Sequence, residues 1–74
     1  MPDDLIAFLE GLAVQGRNCE IVFRSEGGGK AVIRDRIMEV YEEGGGYWLR
    51  TGGGLSIRLE KLVQVDGRIP SNFT

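Results

Sequence analysis

The chain has 74 residues, nine Lys or Arg against eleven Asp or Glu, one cysteine and no histidine. A domain of this length buries only about 60% of the surface its unfolded chain exposes, so it holds one core and is marginally stable. The absence of histidine removes the commonest general base and metal ligand. The single Cys19 can neither close an internal disulfide nor furnish a zinc site. No enzymatic activity, cofactor or metal is therefore expected.

A lone cysteine suits a reducing compartment. No apolar run approaches the roughly 20 residues of a membrane span, and no basic stretch leads into an apolar one as in a secretory signal. A cytoplasmic protein is expected. The net charge of −2 is unevenly placed. Residues 1–16 hold Asp3, Asp4 and Glu10 and no base, whereas the remainder is close to neutral.

In chain order, residues 1–16 read as a helix, 17–67 as a small β domain and 68–74 as a loose tail, all in one domain. Pro2 suits a first helical turn, and Asp3 and Asp4 complement the positive end of the helix dipole. Leu5, Phe8, Leu9, Leu12 and Ala13 recur at helical spacing, with Ile6 on the flank of the stripe. Asp3, Ala7, Glu10 and Val14 fall on the opposite face, and Gly16 suits a C-cap.

After Gly16 the period becomes two. Cys19, Ile21 and Phe23 alternate with Glu20, Val22 and Arg24 in a half-buried strand. Cys19 reads as a small buried hydrophobe rather than a nucleophile. Residues 30–42 read as one long strand. Ala31 and Ile33 share one phase and Met38 and Val40 the other, so a bend or bulge is expected near Asp35–Arg36. Tyr47, Leu49 and Thr51 point inward from a third strand and Leu55, Ile57 and Leu59 from a fourth. A 3₁₀ turn is expected at 59–62, followed by a fifth strand with Val63 and Val65. One helix and five short strands, the second bent, describe a mainly β fold: an N-terminal α-helix packed on a five-stranded SH3-like or Sm-like barrel.

Three glycine triplets, at 27–29, 44–46 and 52–54, lie between strand-like segments. They are hairpin chemistry, since glycine reaches the positive φ that tight turns need. A phosphate-binding loop would require Lys30 to be followed by Ser or Thr and a helix, whereas Ala31 and a β-period follow. Glu42 and Glu43 are adjacent, so on a strand they face opposite ways and cannot act as an acid–base pair. Arg34, Arg36, Arg50 and Arg58 lie out of phase with the apolar positions. Trp48 shares the outward phase of Arg50, an arrangement suited to single-stranded RNA. Glu20, Glu39 and Glu60 interleave with these arginines, and cross-strand ion pairing accounts for the same pattern.

The stretch IRLEKLVQVDG at 57–67, with CEIVFR at 19–24 and RDRIMEVYEE at 34–43, resembles the Rho-binding antiterminator family. In that family a leucine-rich helix with a Leu-Glu-x-Leu-Ala element precedes a small Sm-like barrel. The barrel ends in a run similar to Ile-Arg-Leu-Asp-x-Ile. Leu9-Glu10-Gly11-Leu12-Ala13 and Ile57-Arg58-Leu59-Glu60-Lys61-Leu62 occupy those places here, and the similarity runs over residues 5–67. Where the family usually has a Cys-Asp-x-Tyr-Asp-like run ahead of the helix, this chain has Met-Pro-Asp-Asp-Leu.

Family members bind transcription termination factor Rho at its RNA-loading surface and reduce termination. The resemblance implies the same partner for this chain. Asp3, Asp4 and Glu10 on the helix would then meet a basic surface, with Glu39, Glu42 and Glu43 as a second acidic group. Such charges steer association and fix orientation. Two alternatives stand beside this one: an Sm-like RNA-binding module using Arg34, Arg36, Trp48, Arg50 and Arg58, and an oligomeric structural module.

Overall fold

The computed structural model describes residues 3–70. One helix, α1 (Asp3–Gln15), precedes six strands: β1 (Cys19–Arg24), β2 (Lys30–Asp35), β3 (Ile37–Glu43), β4 (Gly46–Thr51), β5 (Ser56–Arg58) and β6 (Leu62–Val65). A single 3₁₀ turn, Leu59–Lys61, joins β5 to β6. The fold is mainly β. It is not the closed five-stranded barrel expected from the sequence: the strands form two antiparallel three-stranded sheets, ordered β2-β1-β6 and β3-β4-β5.

The sixth strand arises because the long strand expected at 30–42 breaks at Arg36, sending β2 to one sheet and β3 to the other. The change of phase lies further on. Ile37 keeps the phase of Ala31 and Ile33 and is fully buried; the register then shifts between Ile37 and Glu39. The extra residue at this bulge turns Met38 to solvent, at 45% exposure, and brings Val40 inward. The expectation that Met38 shares the inner face with Val40 is thus corrected, and Ile37 takes the core position.

Helix α1 begins with Asp3 and Asp4 and buries Leu5, Leu9 and Leu12, while Val14 stays 88% exposed. Phe8, expected in the apolar stripe, is only half-buried. The helix ends at Gly16, whose φ of +68° and N–H bond to the Leu12 carbonyl (3.2 Å) form a left-handed cap. The helix packs on β3. Its leucines join Cys19, Ile21, Ile37, Leu49, Ile57, Leu59, Leu62 and Val65 in one core. Full burial of a leucine or isoleucine contributes about 1.5–3 kcal/mol, so the three helical leucines are a large share of what stabilises a domain this small.

Two turn glycines show different demands. Gly44 and Gly45, at φ +61° and +80°, form the two-residue turn between β3 and β4, where both central residues need positive φ. Gly52 has no positive φ, but a Cβ there would sit 2.9 Å from Arg36 Nε and 3.0 Å from Asp35 Oδ1. That glycine permits close approach between the β4–β5 turn and the β2–β3 corner. Leu55, expected inward, lies outside β5 and is 42% exposed, because the glycine turn carries it past the sheet before the β period starts at Ser56. The loose tail expected from residue 68 starts later. Arg68 pairs with Val65 in both directions at 2.9 Å, closing a turn over Asp66 and Gly67, and its guanidinium lies 5.3 Å from the Phe8 ring. The rest of that expected tail, residues 71–74, lies outside the described residues.

Candidate functional site

Cross-strand register decides which charges meet. On the outer face of sheet β3-β4-β5, Glu39, Arg50 and Ser56 form one row, and Tyr41, Trp48 and Arg58 form the next. Glu39 and Arg50 are directly opposite and form an ion pair. Arg58 lies 4.9 Å above the Trp48 ring and reaches the Glu60 carboxylate at 3.2 Å. The Trp48 indole N–H donates to the Glu43 carbonyl at 3.1 Å, and the Tyr41 hydroxyl donates to Ser56 Oγ at 3.1 Å. Trp48 is therefore half-buried under an arginine and tied at its nitrogen, not a bare stacking platform.

Of the remaining arginines proposed for RNA, Arg34 sits opposite Glu20 on the other sheet, 3.9 Å from its carboxylate. Arg36 occupies the corner between the sheets, against Gly52. The five residues Arg34, Arg36, Trp48, Arg50 and Arg58 thus divide between two sheets and the corner joining them, and three of the four cations are neutralised by neighbouring carboxylates.

The acidic residues behave differently. Asp3, Asp4 and Glu10 are all exposed on α1 and form no ion pair among the described residues. Glu42 and Glu43 are also exposed, but successive residues of a strand point apart: Glu43 shares the outer face with Glu39, and Glu42 lies with Tyr47 on the other. With Glu39 engaged by Arg50, the second acidic group does not form one cluster. The helix gathers three such uncompensated acids on one element.

Two further carboxylates act as clips that the sequence reading did not single out. Asp35 Oδ1 accepts the Arg36 N–H and Oδ2 the Gly53 N–H, each at 2.8 Å, pinning the β4–β5 turn to the corner between the sheets. Asp66, at φ +50°, accepts the Glu20 N–H at 3.1 Å and the Arg17 guanidinium at 2.8 Å, fastening β6 to the segment after α1. The Gly53 and then the Arg36 N–H hold the Asp35 carboxyl below its ordinary value; the Glu20 N–H and Arg17 do the same for Asp66. Burial, with the Asp66 charge nearby, pushes the Cys19 thiol up, so it stays a neutral core group. The signal for Asp66 was present in the sequence as Asp-Gly, a turn pair, but its partners 46 and 49 positions away were not.

Beside β5 runs a groove of about 420 Å³, lined by Phe23, Trp48 and Ile57 with Glu26, Arg58 and Lys61 at its edges. No set of three or more potential metal ligands occurs among the described residues, and no helix there is long and apolar enough to cross a membrane. The chain matches no protein-family profile, no curated protein and no solved structure.

Proposed function

We propose that this domain is a non-catalytic binding module of the Rho-binding antiterminator kind, which docks on the basic RNA-loading surface of Rho and reduces termination. One observation carries the reading: Asp3, Asp4 and Glu10 stand exposed on α1 with no ion pair among the described residues, whereas Arg34, Arg50 and Arg58 are held by Glu20, Glu39 and Glu60. A module that pairs Arg34, Arg50 and Arg58 with carboxylates and leaves its helix acids uncompensated is suited to a cationic partner. Releasing counterions from RNA needs free cations, so the arginine and tryptophan face is the weaker candidate.

The architecture fits an Sm-like or SH3-like small barrel that is open on one side. One sheet runs β6-β1-β2 and the other β3-β4-β5, the chain passing between them at the Arg36 corner, with the 3₁₀ turn between β5 and β6. The helix acids supply steering and orientation, and the leucine stripe beneath them fixes α1 against β3 so that the charges are presented from a rigid support. Glu42 and Glu43 extend the negative field from the strand on which α1 packs. The deciding experiment is capture of purified Rho on the immobilised domain, with and without RNA competitor. Capture that RNA displaces is the expected result; failure to capture Rho at low salt overturns the proposal.

A further inference from the structure

The β1–β2 hairpin sets Arg24 directly opposite Lys30, both exposed, and neither has an ion-pair partner among the described residues. Like charges in direct opposition destabilise a ladder, and this pair persists in a chain whose net charge is −2. The two residues belong to a short cationic face. Outward from sheet β2-β1-β6 point Arg24, Val22 and Glu20 on β1 and Lys30, Val32 and Arg34 on β2. Val32 is 60% exposed and placed between two cations of one strand. Lys30 and Arg34 are four residues apart, about 13 Å along a strand.

The carboxylates near this face leave Arg24 and Lys30 uncompensated. Glu20 is engaged by Arg34, and Glu26 lines the groove with Phe23 and Lys61 and forms no ion pair among the described residues. Guarding an exposed sheet edge against aggregation accounts for Lys30 and Arg34, which lie on the edge strand β2. It does not explain why Arg24 is set directly opposite Lys30, one residue past the last of β1 that pairs with β6.

We propose that Arg24 and Lys30 form a clamp for the phosphodiester backbone of a single-stranded nucleic acid, with Val32 as the adjoining apolar contact. A phosphate between Arg24 and Lys30 turns their mutual repulsion into two attractions. The site is separate from the outer face of sheet β3-β4-β5, and it does not depend on the Rho reading, since the acids of α1 take no part.

The test uses the full chain and a short labelled oligouridylate, with anisotropy measured across a salt series. Two phosphate contacts give a slope of log K against log salt of about −1.4, at roughly 0.7 per contact for single strands. Arg24→Gln with Lys30→Gln should weaken binding several-fold and bring the slope close to zero. An oligothymidylate of equal length is expected to bind alike if backbone phosphate alone is read; preference for the oligouridylate assigns the source as RNA. Poly-glutamate is the counter-probe, and binding as tight as that of the oligonucleotide overturns the proposal, as does absence of oligonucleotide binding at low salt. Arg24→Gln alone supplies a second readout. It should melt at a higher temperature than the parent while binding less tightly; lower melting with unchanged binding overturns the proposal. Capture of Rho by the same variants is expected to be unaffected, so failure of the two readings can be told apart.

Discussion

At the scale of single residues, glycine and aspartate do distinct work that composition alone does not separate. Gly45 sits at φ +80° in the β3–β4 turn, so Gly45→Val should lower stability by about 1 kcal/mol or more, measured by denaturant melts. Gly53 belongs to an equally plain triplet, yet its φ is not positive; a Cβ there would lie 3.1 Å from Asp35 Oδ2. Its substitution acts through the Asp35 clip rather than through backbone strain. The triplets were legible as turns, but the division of labour within them depends on neighbours distant in sequence. Asp66 offers a pH prediction. Its carboxyl is held below the ordinary 3.8, so its stabilising contribution is present above that value and is lost as pH falls through the lower folded value. Asn tolerates the left-handed backbone and retains an acceptor for the Glu20 N–H, so Asp66→Asn removes mainly the charge. Melting temperature followed from neutral to strongly acidic pH should fall less steeply in the variant. An unchanged acid limb would assign that dependence to other groups, Asp35 first among them.

Among the elements, α1 depends on its leucine stripe and the β corner on a bulge. Leu12 is 4% exposed, so Leu12→Ala should cost about 2–5 kcal/mol, enough to unfold much of a marginal domain. A circular dichroism melt that does not move would mean the helix is undocked. The helix was legible because its period, acidic start and Gly16 cap agree. The bend in the 30–42 segment was legible from its change of phase, but not its mechanism. Two devices lie side by side, a break at Arg36 and a bulge after Ile37, and a sequence shows only their net effect. Choosing Met38 over Ile37 for the core followed from assigning both to one bend. The strand count failed for the same reason. A strand that turns a corner reads as one element, whereas its hydrogen bonds belong to two sheets.

For the whole molecule, the question is where charge is left uncompensated, and register answers it. The sequence left Arg50 and Arg58 open between an RNA surface and ion pairing with the interleaved glutamates; opposite Glu39 and beside Glu60 they are ion pairs of a partly exposed kind, worth about 0.2–1 kcal/mol each. The helix acids needed no register to be recognised, since residues 1–16 contain no base at all. Reversing Asp3, Asp4 and Glu10 to Lys should therefore slow association with Rho; all three side chains are exposed, so the core is untouched, and the cost to the helix dipole at Asp3 and Asp4 is read from the melting temperature of the variant. The loss should shrink as salt rises, since exposed charges are screened beyond about 8 Å at physiological ionic strength. Arg50→Gln with Arg58→Gln, in contrast, should lower the melting temperature slightly and leave Rho association unchanged. Stopped-flow association of purified Rho with each variant, at two salt concentrations, separates the cases. If the arginine variant loses Rho binding and the helix variant keeps it, partner recognition belongs to the outer face of sheet β3-β4-β5, and the acids of α1 serve only the helix dipole.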